Sequence, residues 1–296
     1  MIDLQPLFAA PIIEQRAYPA AYPDHTNDIW RVRTATEEVV VRAPRPAAEW
    51  DHAASPFWRG CRHLFGLDPT DTARLATTNA LLGGLSPLPI PRVLRSGTVA
   101  GRPCLVVEHL PGERLNDLRT LPDAALRELG AAIARIHRQR YRWFGTLDGS
   151  TQRPLTTFHT RLADTLRLLA TAHPDPTLHA PLNDFCAAAL ALPAPASAVP
   201  TMLDVDATQF LTDGARLTAL VDTDAYAVAP PALDLIGYEY ELDSPGAAAF
   251  AAGYRTSAPL PDLITVRPVY RYLYRLLGTQ GAVPLDKWMA WPKVFA

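Results

Sequence analysis

Pro200 to Leu235 read PTMLDVDATQFLTDGARLTALVDTDAYAVAPPALDL, in which Asp204, Asp222 and Asp234 stand well apart among short apolar runs. Phe210-Leu211 and Leu217 to Val221 are β-rich segments on either side of Asp213-Gly214, a dipeptide that favours tight hairpin turns. A hairpin brings its flanks together. Asp204 and Gln209 precede its first strand and Asp222 closes its second, so two carboxylates and an amide oxygen can converge at one end. Hard oxygen donors beside a carboxylate base suit magnesium and phosphate chemistry. Ordinary turn residues answer to the same spacing, because Asp is favoured at strand ends and in loops. Asp234 stands beyond Pro230-Pro231, where a helix can begin.

Composition bounds what surrounds this segment. The 296 residues, 48% hydrophobic and 20% charged, suit a globular protein with a sizeable core and room for two lobes. A formal net charge of -2 leaves no basic footprint, so nucleic acid is not an expected partner. No apolar stretch is long enough to span a bilayer, and the Ala/Pro-rich segment 187–200 is proline-broken and reads as a linker. The first residues, MIDLQPLFAAPIIEQ, lack the basic start of a secretory signal. Cys61, Cys104 and Cys186 are widely spaced, with no Cys-x-x-Cys, so reduced packing cysteines in a cytoplasmic protein are expected. The only lysines are Lys287 and Lys293, so any cation that the first half brings to a site is Arg or His.

Asp28 to Thr34 and Glu38 to Arg42 read as an antiparallel hairpin, with Trp30, Val32 and Thr34 on one face. Residues 47–65 and 69–82 read as helices, the second capped by Asp68 or Thr70 and stopped by Gly83-Gly84. Leu105 to Val107 form a continuous buried strand, and Pro111-Gly112 turn the chain after it. In 123–140, Leu126, Leu129, Ile133 and Ile136 repeat at helical spacing, and His137 on that face reads as a satisfied core histidine. Helices are expected at 156–172 and 182–192, and after Leu235 at 236–242, 247–254, 263–277 and 285–291. The tyrosines and tryptophans of that last part read as core.

The segment from Met202 to Leu235 resembles the catalytic segment of the aminoglycoside phosphotransferase and choline kinase-like family, relatives of protein kinases. That pattern is His-Gly-Asp-Leu-x-Pro-x-Asn, two apolar residues, a hairpin, an apolar strand ending in Ile-Asp-Trp or similar, and a Pro-x-x-Asp-Leu element. Aligned on Phe210-Leu211, Asp204 falls on the catalytic Asp, Gln209 on the Asn and Asp222 on the metal-binding Asp. Ala232 to Leu235 match the helix start. Thr26 to Val32 resemble the family's Ser/Thr-Asn-x-apolar-aromatic-Arg-Val pattern near the nucleotide phosphates. Leu88 to Leu94 and Arg102 to Gly112 resemble its last small-lobe strands and interlobe hinge.

The resemblance implies an α+β, two-lobed protein kinase-like fold. A small N-terminal lobe with an antiparallel sheet, residues 1–108, would meet a larger, mainly helical lobe, 109–296, at a hinge about 108–112. It further implies ATP and Mg2+ as cofactors, a small-molecule hydroxyl acceptor, and Asp204 as the catalytic base. Asp222 and Gln209 would hold the metal, Arg42 and Thr26 would lie at the phosphates, and the backbone of Glu108 and Leu110 would face adenine. Departures accompany the matches: Met202-Leu203 replace His-Gly, Gln209 is a methylene longer than Asn, and Arg42 stands for the strand lysine. The helical Glu that pairs with that cation is missing from 69–82, leaving Glu49 as a substitute, and Asp206 rivals Asp204. A catalytically impaired nucleotide- or partner-binding relative is the alternative to an active phosphotransferase.

Overall fold

The computed structural model describes residues 2–19, 25–46, 51 and 54–295. In chain order, strands β1 (Ile12–Ala17), β2 (Asn27–Thr34) and β3 (Glu38–Pro44) are followed by helices α1 (Pro56–Phe65) and α2 (Thr72–Leu85). Strands β4 (Val93–Val99), β5 (Arg102–Glu108) and β6 (Glu113–Arg114) then lead to helix α3 (Asp123–Ile136). Next come β7 (Trp143–Thr146), β8 (Gln152–Pro154), α4 (Phe158–Ala172) and α5 (Leu182–Ala191). The segment that carries the aspartates contributes β9 (Val199–Met202), β10 (Phe210–Thr212), β11 (Leu217–Leu220), β12 (Tyr226–Ala229) and α6 (Pro231–Glu241). Helices α7 (Ser244–Tyr254), α8 (Arg267–Leu277) and α9 (Leu285–Met289) close the chain.

Among the described residues, β1-β2-β3-β5-β4 make one sheet in that order, every neighbour antiparallel. Alternation along β2 and β3 sends Trp30, Val32, Val39, Val41 and Ala43 to one face, where they pack with Leu4, Phe8 and Val106. Val40 on the opposite face meets Leu75 of α2 together with Leu105 and Val107. The sheet therefore carries α2 on the side from which Arg42 also projects.

The main core lies in the helical part. There α3 and α7 pack backbone against backbone: a Cβ on Gly130 would lie 1.9 Å from the Phe250 carbonyl oxygen, and one on Gly253 would lie 1.8 Å from that of Arg127. The tyrosines of α6 and α8 join this core, with Tyr238, Tyr270, Tyr272 and Tyr274 essentially inaccessible. Glu239 is buried between Arg267 (3.1 Å) and Arg271 (2.8 Å), and Arg271 also donates to the carbonyls of Trp291 and Pro292, tying the C-terminal segment to α8. No helix among the described residues is long and apolar enough to cross a membrane.

Several boundaries differ from the sequence expectation, each for a local reason. The helix expected from residue 47 is described only from Pro56, whose ring sits at the tolerant first position; residues 47–50, Glu49 included, lie outside the described residues. Although it precedes Glu108, α1 packs on α4 and α8, and Trp58, Cys61, Leu64 and Phe65 enter the main core. The next helix is capped by Asp71, which accepts from the Arg74 amide at 3.0 Å, and it runs through Gly83-Gly84 to end at Ser86. Glycine terminates a helix by adopting positive φ, and these two keep negative φ. Helix α5 occupies the start of the expected linker, because its prolines begin only at Pro193.

Candidate active site

The hairpin forms where Asp213-Gly214 asked for it. Gly214 has φ 92°, Asp213 accepts from the amides of Ala215 (2.9 Å) and Arg216 (2.8 Å), and Phe210 pairs with Leu220. At its open end Val221 donates its amide to the Gln209 carbonyl at 2.9 Å. The buried Gln209 side chain turns the other way and gives its Nε2 to Asp204 Oδ2 at 3.1 Å. One residue thus links Asp204, ahead of β10, to the backbone that delivers Asp222 after β11. Asp206 is engaged locally instead, where its Oδ1 caps the short turn at Ala207–Gln209 and accepts from the Thr208 amide (2.7 Å) and hydroxyl (2.5 Å).

Asp222 meets the small sheet through Arg42. The Arg42 NH2 lies 3.5 Å from Asp222 Oδ1 and 2.5 Å from Asp224 Oδ2. The two carboxylates differ in environment, the Asp222 side chain being 45% exposed and that of Asp224 8%. Asp224 Oδ2 also accepts from Asn27 Nδ2 at 2.9 Å, and the same Asn27 amide donates to Thr26 Oγ1 at 2.8 Å. From α2, Arg74 donates to the Asp224 backbone carbonyl at 3.4 Å, while Asn79 Oδ1 accepts from the Thr223 hydroxyl. Burial works against the Arg42 charge, but Asp224 and Asp222 outweigh it and push the guanidinium pKa up. For Asp224 burial raises the carboxyl pKa, with Arg42 and Arg74 opposing it.

The remaining expected residues lie along β5. Arg42 stands opposite Leu105 in the β3–β5 register, so Glu108 is about 10 Å further along the strand. The Glu108 carboxylate pairs with Arg92 at 3.2 Å, and that hydrogen bond draws its pKa below the usual range. The Glu108 amide donates to the Arg92 carbonyl at 2.9 Å, so this N–H is already used within the sheet. Leu110, half-buried, opens the turn that Pro111-Gly112 complete, where the Thr218 hydroxyl donates to the Pro111 carbonyl at 2.9 Å.

The geometry therefore joins Thr26, Arg42 and Asp222 in one chain of contacts, and Asp204 and Gln209 in another, with Gln209 and Val221 connecting the two. Sequence reasoning passed over Asp224 and Arg74, and saw Asn27 only as part of a pattern. The signal for Asp224 was its nearness to Asp222, two residues along the same loop between β11 and β12. His137 is a core residue, as expected: it is buried, with Nδ1 2.8 Å from the Tyr254 hydroxyl and Nε2 2.9 Å from Asp234 Oδ2. Asp234, in the first turn of α6, also accepts from the Met202 amide at 3.4 Å, so it braces the strand that leads into Asp204. A groove of about 610 Å³ lined by Arg255, Leu260, Asp262, Ile264 and Arg267 includes none of these site residues.

Among the described residues, no three His, Cys, Asp or Glu side chains surround a single point as a metal cage. Magnesium is commonly held by one or two carboxylates together with substrate phosphates and water, which a half-exposed Asp222 fits. The sequence profile of the APH phosphotransferase enzyme family matches residues 21–268. The chain belongs to this phosphotransferase family. Among curated proteins, no sequence matches it. Solved structures share the fold of this family member. The macrolide 2′-phosphotransferase MphH from Brachybacterium faecium is 17% identical with a TM-score of 0.63, over 93% of this chain and 91% of that one. The GDP complex of aminoglycoside 2′-phosphotransferase-IIIa is 16% identical with a TM-score of 0.62, over 93% and 87%. The GDP and kanamycin complex of APH(2″)-IIIa is 16% identical with a TM-score of 0.58, over 92% and 86%. The expected α+β, kinase-like architecture is thus the one this phosphotransferase has.

Proposed function

We propose that this protein transfers the γ-phosphate of ATP to a hydroxyl group of a small molecule. The observation that carries the reading is the double engagement of Gln209, whose side chain holds Asp204 while its carbonyl holds the strand end before Asp222. An Asp that accepts from an amide N–H is held in one orientation as an acceptor. Asp204 would take that role toward the acceptor hydroxyl, orienting it for in-line attack and receiving its proton. Asp206, engaged as a turn cap, is the weaker choice for the same role. Asp222 and the Gln209 amide oxygen would hold magnesium, and Arg42 would hold the phosphates. Magnesium neutralises charge across the phosphates when bound. Most of the rate enhancement in such a site comes from positioning and charge stabilisation.

In this reading the nucleotide lies between residues 1–108 and 109–296, with 108–112 as the hinge. Adenine would rest against the backbone of Glu108 and Leu110, and Thr26 would stand near the phosphates beside Asn27. The solved relatives named for macrolides and aminoglycosides, one of them with kanamycin bound, support a small polyhydroxylated acceptor. One observation favours a second reading, a nucleotide- or partner-binding module without turnover: Arg42 is already neutralised by Asp222 and Asp224.

Thermal unfolding with and without Mg-ATP tests nucleotide binding, and ADP release is then measured across macrolides, aminoglycosides, choline-like alcohols and sugars. Active wild type is expected to lose Mg-ATP binding on Asp222→Asn and turnover on Asp204→Asn. No shift of the wild type with Mg-ATP refutes the phosphotransferase reading and leaves the module no nucleotide to bind, and binding without ADP release selects the nucleotide-binding module. Full turnover in Asp204→Asn refutes the base assignment.

A further inference from the structure

In the family that the chain resembles, a carboxylate on the helix over the small sheet pairs with the strand cation. Helix α2, which packs on that sheet, contains no acidic residue. Its inward charge is the opposite one, Arg74, only 4% exposed. Yet Arg42 is itself 7% exposed, and a buried guanidinium left without a counter-ion is strongly destabilising. The counter-ion comes instead from the segment after β11. Asp224 meets Arg42 at 2.5 Å, receives Asn27 at 2.9 Å, and is fixed at its carbonyl by Arg74. Three side chains from β2, β3 and α2 thus converge on one residue about 150 to 200 positions further along the chain.

The neighbouring carboxylates are separated by environment as well as distance. Asp222 is farther from Arg42 and half-exposed, and Asp224 is close and enclosed. A ligand can therefore engage Asp222 while Arg42 keeps Asp224 as its partner. The contact with Asp224 uses NH2 of Arg42, whereas the buried Arg42 Nε has no hydrogen-bond partner among the described residues. A guanidinium anchored by one amino group has its plane fixed and keeps further donors, which suits it to a second, planar contact with phosphate oxygen.

We propose that Asp224 is the positioning residue for the phosphate-binding cation: it holds Arg42 by one amino group and presents the rest of the guanidinium to the nucleotide. Arg74 and Asn27 fix Asp224 in turn, so the helix brings a cation where the family pattern has a carboxylate, while the strand keeps its cation. The proposal rests on the phosphotransferase reading, specifically on Mg-ATP binding.

The test is a double-mutant cycle of Asp224→Asn and Arg42→Met, read as Mg-ATP affinity by titration calorimetry, with near-ultraviolet circular dichroism as the folding check. Asp224→Asn is expected to weaken Mg-ATP about ten-fold, the scale of one charge-assisted hydrogen bond, and to change affinity little once Arg42 is already Met. A general structural role would instead weaken binding equally in both backgrounds, and that result overturns the proposal. So does unchanged affinity in Asp224→Asn when the wild type binds. Should Asp224→Asn not fold, Asn27→Ala replaces it in the cycle, with a loss of about three-fold expected only where Arg42 is present; unchanged affinity or an equal loss in both backgrounds again overturns the proposal. Wild type that does not bind Mg-ATP removes the phosphotransferase reading itself, and the assignment of Asp224 with it.

Discussion

Glu241 gives the stability of this protein a calculable pH dependence. It ends α6, accepts from Gln280 Nε2 at 2.5 Å, and its pKa is pushed from 4.5 up to about 7. Burial is the main cause and the Asp206 charge the next, with Gln280 and Arg119 pulling the other way. The folded protein therefore keeps this proton more tightly than the unfolded chain does. Between about pH 4.5 and 7 the native state binds more protons, so stability falls as pH rises through that window and levels off above it. At about 1.4 kcal/mol per pKa unit the full effect is about 3 kcal/mol, and partial exposure of the carboxylate brings it to about 1–3 kcal/mol. Glu241→Gln cannot ionise and escapes this loss. Thermal unfolding of both proteins at pH 5 and pH 8 is expected to show a gap that widens in favour of the variant by roughly 2–5 °C. A gap that is the same at both pH values, or that favours the wild type at pH 8, refutes the claim that burial and Asp206 hold the carboxyl protonated.

Two further substitutions test the packing that supports the site. Gly130→Ala pushes a methyl into the Phe250 carbonyl and must part α3 from α7, an expected loss of at least about 2 kcal/mol in urea unfolding. Gly83→Ala meets nothing within 4 Å on the exposed side of α2 and is expected to gain about 0.5–1 kcal/mol by helix propensity; equal effects of the two would discredit the contact geometry. Glu239→Gln leaves Arg267 and Arg271 buried without their shared counter-ion, and a loss of about 3–5 kcal/mol is expected. A loss below about 1 kcal/mol would mean that the backbone carbonyls alone suffice for those arginines.

Much of the catalytic segment was legible because its signals are local. Asp213-Gly214 needs no distant partner to turn the chain, and the β-rich runs beside it pair with each other, so the hairpin and its two flanking aspartates follow from about twenty neighbouring residues. His137 was legible for a related reason, since helical periodicity puts it on the buried face of α3. The bounds of α1 and α2 were harder. Asp68 and Thr70 were expected as caps where Asp71 serves, a shift of one to three residues, and Gly83-Gly84 stop a helix only where tertiary structure asks for positive φ. The packing of α1 on α4 and α8 has no local signal at all, because an amphipathic face does not name the surface that covers it.

By itself, then, the sequence determined a kinase-like order of elements, a hairpin with Asp204 and Asp222 at its base, and an α2 without the expected carboxylate. What answers that missing carboxylate was decided only by tertiary structure. Asp222-Thr223-Asp224 offers two acids of equal intrinsic chemistry in the loop between β11 and β12, and their immediate neighbours do not say which of them will be buried. The difference arises when β2, β3 and α2 close over one acid and leave the other half-exposed. Burial and charge pairing belong to the assembled surroundings, and Asn27, Arg42 and Arg74 reach Asp224 only after the whole intervening chain has folded.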